Sequence, residues 1–368
     1  MTPDLAQSKP HAPRRVAVLW EYLAGYIQAA LRAIVAREGT ELLVIQRSRE
    51  TNASYALELG AGCEVFDLTS SHTSQDVIAR IRAFAPDVTL VTTNKDPRYH
   101  AVAADNRRQG RLTVWGSEVP PRALWRDSYG MLRGRMGALR DYDAALVAGV
   151  TSHEYARRIG FTEDRIFEGL LTCDASLFRA VGIARHAPSA LSDWPRVFLF
   201  VGQFIPRKGL DVLLEAYRRY RQRAAAPWEL WCVGAGPLRE RLVGQQGVRV
   251  LDFVAPAECA QLMGQAGAFV LPSRIDHWGV VIHEAACAGL PVIASRTSYA
   301  SVDLVQEGAN GFTFPAHDVE RLARLLAACA DVTRAREMGA HSLGTSYRFD
   351  PAIFAHMLTE HIPQMLRR

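Results

Sequence analysis

Short β-branched apolar runs alternate with amphipathic stretches along almost the whole chain. In the first half the strand-like runs are Val16–Trp20, Leu42–Gln46, Glu64–Phe66, Val88–Thr92, Leu112–Trp115 and Ala144–Ala148. Helical patterning falls between them, at Tyr22–Arg37, Gln75–Phe84 and His100–Gln109. The pattern lapses into Pro, Ser and Ala over Ala184–Pro195, which marks a linker. A second series follows, with strands at Val197–Val201, Glu229–Val233, Val248–Phe253, Ala268–Leu271, Val292–Ser295 and Phe312–Phe314. Its helices fall at Lys208–Arg223, Pro237–Val243, Ala257–Ala266, Val280–Ala288 and Val319–Cys329. Strands separated by helices predict βα units and parallel sheets. The expected architecture is α/β, with two doubly wound Rossmann-like domains facing across a cleft, where ligands commonly bind. The domains are set at 15–190 and 191–348, with residues 1–14 as a tail.

Composition narrows the class. A chain of 368 residues exceeds one ordinary core, and 49% hydrophobic with 22% charged residues excludes a disordered or fibrous protein. The longest apolar candidate, Tyr22 to Ala36, is interrupted by Gln28 and Arg32, so no membrane span is expected. Residues 1–14 lack the apolar centre of a secretory signal. The six cysteines (Cys63, Cys173, Cys232, Cys259, Cys287, Cys329) are scattered, without a Cys-x-x-Cys pair. They read as reduced core residues of a cytoplasmic protein rather than a disulfide or metal set.

Charge adds two points. The net charge is +5, and nine arginines (98, 107, 108, 111, 122, 126, 133, 135, 140) lie between Arg98 and Arg140 against Asp105, Glu118 and Asp127. They describe either solvated helix faces or a surface drawn to anionic headgroups or an anionic acceptor, peripheral at the inner face of a membrane. No nucleic-acid-binding module accompanies the charge, so nucleic acid is not an expected partner. Only three of the 43 basic residues are lysines: Lys9, Lys95 and Lys208. A lysine in a glycine-bounded loop, as at 208, therefore suggests a position that needs a compact ammonium.

The segment richest in candidate chemistry is Leu271-Pro-Ser-Arg-Ile-Asp276-His-Trp-Gly279-Val-Val-Ile-His-Glu284-Ala-Ala-Cys-Ala-Gly289-Leu-Pro291. It reads as a buried strand, a short loop, and a glycine that opens a helix closed by a second glycine. Asp276 and Glu284 flank the helix start, where free N–H groups and the dipole attract an anion. A second loop, Val201-Gly202-Gln203-Phe-Ile-Pro-Arg207-Lys208-Gly209, leaves a strand and places two cations at a helix entrance. It suits a clamp on a diphosphate leaving group. Gly234-Ala-Gly236-Pro-Leu-Arg239 resembles the start of a dinucleotide fingerprint but lacks the third glycine, so it argues only weakly for NAD. A glycine turn that lets a nucleotide approach the backbone remains open. Asp141-Tyr-Asp143 precedes a strand instead of ending one, and reads as a helix end and turn. His277 and His283 flank the acidic site without helical metal-ligand spacing, so no metal is expected there.

Together these segments resemble a family 4 glycosyltransferase of the GT-B fold. The second domain carries the resemblance almost end to end, through Asp276…Glu284 and the loop 201–209. In the first domain it is traceable through Asp143-Ala-Ala-Leu-Val-Ala-Gly149, Ile159-Gly160 and Cys173-Asp174-Ala-Ser-Leu-Phe178. Three departures stand out: the first acid is Asp276 rather than Glu, Gln203 replaces an arginine common among relatives, and the loop Trp20–Tyr26 has the single glycine Gly25.

The resemblance implies a retaining, metal-independent transferase without cofactor, moving sugar from a UDP- or GDP-sugar to a hydroxyl of a sugar, lipid-linked or small-molecule acceptor. Polysaccharide, glycolipid or glycoconjugate synthesis is the implied setting. It implies donor contacts from Gly202, Gln203, Arg207, Lys208, Val254, Gly279, Val280, Val281 and Glu284, with Lys208 on the diphosphate and Glu284 on the ribose. Asp276 would lie beside the donor sugar, and Gly25 and Glu118 on the acceptor side. Residues 349–368 would form a helix crossing back to the first domain. A nucleotide-sugar epimerase of the same architecture and a non-catalytic nucleotide-sugar binder remain alternatives.

Overall fold

The computed structural model describes residues 14–21, 23, 25–47, 59–92, 96–121, 138–187 and 194–366. Residues 1–13 of the expected tail and the arginines at 122, 126, 133 and 135 lie outside the described residues, while Arg14, placed in that tail, begins the first strand.

The first sheet contains seven strands: β1 (Arg14–Trp20), β2 (Thr40–Arg47), β3 (Cys63–Leu68), β4 (Val88–Val91), β5 (Leu112–Ser117), β6 (Ala144–Val147) and β7 (Ile166–Glu168). They are all parallel, in the order β3-β2-β1-β4-β5-β6-β7. The second holds β8 (Val197–Val201), β9 (Glu229–Val233), β10 (Val248–Leu251), β11 (Ala268–Leu271), β12 (Val292–Ser295) and β13 (Gly311–Phe314). Its order is β10-β9-β8-β11-β12-β13, again parallel throughout. Central strands such as β4, β6, β11 and β12 are buried at every residue, as expected where helices cover both faces of a parallel sheet. Two doubly wound domains are therefore present, and their order reverses at β1/β4 and at β8/β11. Loops leaving the carboxyl ends of the strands diverge at such a reversal and open a crevice.

Four local expectations need correction. The helix placed at Lys208 begins at Leu210: Pro206–Lys208 is a separate 3-10 turn, and Gly209 between them is left-handed at φ 68°. That break holds Lys208 off the helix, in the loop. The helix expected at Pro237–Val243 shrinks to Arg239–Leu242, and β10 stops at Leu251, leaving Phe253 exposed. β7 was absent from the expected strands because three residues are too few to show an alternation.

The C-terminal segment returns to the first domain. It runs Pro351–His356 as α-helix, Met357–His361 as a π turn, and Ile362–Leu366 as α-helix. Pro363 has no N–H to give to the carbonyl of Thr359, four residues back. The guanidinium of Arg14, at the start of β1, donates to that carbonyl instead. Arg37 pairs with Glu360, and the Phe167 ring meets His361 edge-on at 5.5 Å. One apolar cluster thus runs from Val16 and Ile27 through Phe178 and Trp278 to Phe354 and Ile362, joining both domains.

Candidate active site

A cavity of about 570 Å³ opens between the two domains where the β8 and β11 loops diverge. Gly202, Gln203, Arg207 and Lys208 reach it from the β8 loop, and Asp276, His277, Trp278 and Gly279 from the β11 loop. Val280, Val281 and Glu284 come from the helix Val280–Cys287, and Tyr26 and Glu118 from the first domain. Ten of the eleven named donor-side and acid residues therefore share one cavity. Val254 does not: it is partly buried and packs against the apolar core beyond β10. Gly25 is also outside the lining, although Tyr26 beside it is part of it.

The β11 loop is fixed before any ligand arrives. The backbone N–H of Asp276 donates to Thr297 (2.8 Å), and the carbonyl of Ser273 accepts from the hydroxyls of Ser295 (2.5 Å) and Thr297 (2.9 Å). Gly279 caps the following helix at φ 91°, ψ 61°, a left-handed conformation that ordinary side chains resist. That turn leaves the amides of Gly279, Val280 and Val281 without intrahelical acceptors at the cavity wall, where the helix dipole is positive. An anion at this position meets three donors already held in place.

Lys208 is 9% exposed, and its ammonium donates to a carboxylate oxygen of Asp276. Arg207 lies on the same acid at 3.8 Å and donates to the carbonyl of Ile275 (3.2 Å). The spacing of Lys208 and Asp276 in the sequence, 68 residues, gave no sign of this direct pairing. Glu118, at the carboxyl end of β5, faces the pair across the cleft. Its acidity is weakened first by burial and then by the Asp276 charge, with Arg207 opposing.

Glu284 is half-buried, and its carboxylate has no hydrogen-bond partner among the described residues. Burial pushes its pKa up to about 7, against a smaller opposing pull from His283. Its carboxylate oxygens are therefore available as acceptors at the cavity wall, at an electrostatic cost to the fold.

The remaining sequence motifs resolve as follows. The Gly234-Ala235-Gly236 turn packs on the β8 loop: a Cβ on Gly234 would stand 2.0 Å from the carbonyl oxygen of Gly202, and one on Gly236 2.6 Å from that of Phe204. The backbone that these glycines admit is that of the neighbouring loop, and Phe204 N–H donates to Ala235 (2.7 Å) across the contact. This packing by itself requires glycine at both positions. Asp143 accepts from the N–H of Thr113 (2.8 Å) at the amino-terminal edge of the first sheet, away from the cleft. A depression of about 480 Å³ there, lined by Tyr142, Phe161 and Asp164, touches none of the cleft residues. Of the Arg98–Arg140 stretch, Arg98, Arg107 and Arg108 pair with Asp96, Asp141 and Asp105.

Two features escaped sequence reasoning altogether. Asp303 of the second domain accepts from the N–H of Val150 (3.2 Å), capping a first-domain helix across the domain boundary. Burial pushes its pKa up to about 6. Cys173, His283 and Cys287 also converge, although the cysteines are 114 residues apart in sequence.

Comparison with known proteins places this geometry in a family. Residues 195–331 match the model described as glycosyl transferases group 1. That match covers most of the second domain. The chain is 28% identical over 277 residues to the GDP-mannose-dependent alpha-(1-6)-phosphatidylinositol monomannoside mannosyltransferase of Mycolicibacterium smegmatis, covering 62% of this chain and 69% of the relative. It is 31% identical over 151 residues to the D-rhamnosyltransferase WbpZ of Pseudomonas aeruginosa, covering 36% of this chain and 37% of the relative. The chain thus spans about a third of the length of several curated relatives that it matches. Anabaena HepE in complex with UDP superposes with a TM-score of 0.72 at 17% identity, over 94% of this chain and 98% of that one. The group 1 domain and its partner together form the GT-B fold. Among the described residues no helix is long and apolar enough to cross a membrane.

Proposed function

We propose that this chain is a retaining glycosyltransferase, moving a sugar from a UDP- or GDP-sugar to an acceptor hydroxyl in polysaccharide, glycolipid or glycoconjugate synthesis. One observation carries the reading. The free amides at Gly279–Val281, the Lys208 ammonium and the unpartnered Glu284 carboxylate share one cavity at the β8/β11 strand reversal.

Each group has a role that follows from its position. Glu284 accepts hydrogen bonds from the ribose hydroxyls. The helix-start amides and Lys208, with Arg207, hold the diphosphate and stabilise the charge that develops on it as the glycosidic bond breaks. Gly202 and Gln203 line the same loop, where Gln203 supplies hydrogen bonds but no charge. Asp276 fixes the Lys208 ammonium and lies beside the donor sugar, where its charge favours a cationic transition state. With two cations on the leaving diphosphate, the reading requires no metal at this site. Glu118 faces from the acceptor side.

The relatives suggest both nucleotide classes, one being named for GDP-mannose and a structural neighbour holding UDP. A peripheral approach to an anionic surface rests on the charge of the Arg98–Arg140 region alone.

The test is calorimetric titration of UDP- and GDP-sugars, followed by NMR of the product formed with candidate acceptors. Ligand at a hundredfold excess over its Kd should stabilise the protein by about 2.7 kcal/mol. Retention at the anomeric carbon is expected. Rearrangement of the donor without acceptor would mark an epimerase, and absence of any nucleotide binding would overturn the reading.

A further inference from the structure

On the core side of the Val280–Cys287 helix, behind the cleft, three side chains with metal-ligating chemistry meet. Cys173 lies on the segment that crosses from the first domain to the second, while His283 and Cys287 lie one helical turn apart on the helix itself. Their ligating atoms all stand within 4.8 Å of one another, and all three residues are 0% exposed. None of them contributes to the cleft.

Three geometric facts bear on what the cluster holds. The two sulfurs are 3.8 Å apart. Sulfurs each about 2.3 Å from a tetrahedral zinc ion stand about 3.8 Å apart along one edge. The His283 Nε2 lies 2.8 Å from the carbonyl oxygen of Ser346, which accepts its proton and fixes the tautomer. A ligating histidine is usually oriented in this way by its second nitrogen. The other nitrogen, Nδ1, is buried and makes no hydrogen bond of ordinary geometry, an uncommon state for a polar atom in a core, and the Cys287 sulfur is a polar neighbour of the ring. The Ser346 hydroxyl, which donates to the carbonyl of Leu343 (2.8 Å), also neighbours the Cys287 sulfur.

We infer that Cys173, His283 and Cys287 form a binding site for a divalent thiophilic metal ion of the zinc class, clipping the donor helix to the interdomain crossover. Binding forms two sulfur–metal bonds and one nitrogen–metal bond, and releases the two thiol protons to solvent. Two thiolates and a neutral imidazole around a divalent ion sum to zero charge, which suits a fully buried position. The site would join two segments that also meet through packing and through hydrogen bonds from Arg185 and His186 to the carbonyls of Ala288 and Gly289, so its expected consequence is added stability, independent of the transfer reaction.

The test uses the full chain, unfolded in denaturant with reductant and refolded with zinc or cobalt(II). One metal per chain is expected by mass spectrometry, together with a thiolate-to-cobalt charge-transfer band and a rise in melting temperature. Cys287→Ala and His283→Gln should each lose the band and the rise, while Cys232→Ala, at a buried cysteine in β9, should keep both. Should the site variants fail to fold, the wild type still decides. Zinc should protect two of its six thiols from alkylation, identified by peptide mapping as Cys173 and Cys287. Substoichiometric metal after refolding, a cobalt band unchanged in His283→Gln, or a Cys173–Cys287 disulfide in its place would each overturn the inference.

Discussion

Glu284→Gln separates the cost of this carboxylate to the fold from its use in binding. In the free protein the acid sits half-buried on the helix Val280–Cys287 at the cavity wall, and burial pushes its pKa from 4.5 up to about 7. A raised carboxyl pKa means that the folded state binds the proton more tightly than the unfolded chain. The stability associated with the protonated acid is fully present below pH 4.5 and is lost as the pH rises through 7. At 1.36 kcal/mol per unit, the loss is about 3 kcal/mol. Glutamine imitates the protonated acid in shape and charge. The variant should match the wild type near pH 4.5 and exceed it by about 3 kcal/mol at pH 8.5, measured by urea unfolding at both values. Nucleotide binding should move oppositely. Ribose hydroxyls donate to the ionised form, so wild-type affinity should rise with pH through 7, and the glutamine variant should bind more weakly at high pH. If the variant were no more stable at pH 8.5, the assignment of Glu284 as a buried charge held for ligand would be refuted. Undiminished affinity for UDP and GDP together would remove its ribose role.

Three further outcomes follow from the same geometry. Lys208→Met should lower kcat by about 100-fold or more, as loss of a charge stabiliser typically does; steady-state turnover of an identified donor checks this, and near-normal turnover would exclude the clamp. Gly279→Ala must adopt φ 91° with a side chain, at about 1–2 kcal/mol, and should turn the helix-start amides away from the diphosphate. Calorimetry should show weakened binding of the nucleoside diphosphate, and unchanged affinity would remove those amides from the site. For Asp303 the pKa is raised to about 6, so the stability of its protonated form is present below pH 3.8 and lost as the pH rises through 6. Asp303→Asn keeps an acceptor for Val150 and should remove about 3 kcal/mol of that loss; identical wild-type and variant unfolding profiles between pH 4 and 7 would show that the interdomain cap is not electrostatically strained.

What the chain disclosed by itself divides along a physical line. Local patterns carried the strands: β8, β9, β11 and β12 have the bounds expected from their apolar runs, because a central parallel strand covered on both faces is apolar along most of its length. The β11 loop and its helix start were legible for a related reason, since a glycine before a helix and acids on either side lie within one short segment. Pairings across long separations were not legible. Nothing local distinguishes Lys208 bound to Asp276 from Lys208 facing water, nor Asp303 capping the helix at Val150 from a surface acid. The glycines at 234 and 236 show the limit most clearly. Their spacing is compatible with an approaching nucleotide, and the backbone that packs on them is that of the β8 loop; either neighbour requires the same absence of a side chain.

The Lys208–Asp276 pair also accounts for the shorter acid at 276. The backbone of this residue is tied to Thr297 and Tyr299 on the segment after β12, which fixes how far its side chain can reach. From that position the aspartate meets the Lys208 ammonium directly, so the cation is oriented by the β11 loop rather than by its own flexible stem. An ammonium held in this way needs little reorganisation when charge develops on a leaving diphosphate, which is the condition under which such a group stabilises a transition state most. Gln203, exposed on the other side of the same loop, brings a hydrogen-bonding amide instead of a second fixed charge. The site therefore concentrates its positive charge at Lys208 and Arg207, and its organisation in Asp276. The departure at 276 and the neutral residue at 203 are two parts of one electrostatic arrangement.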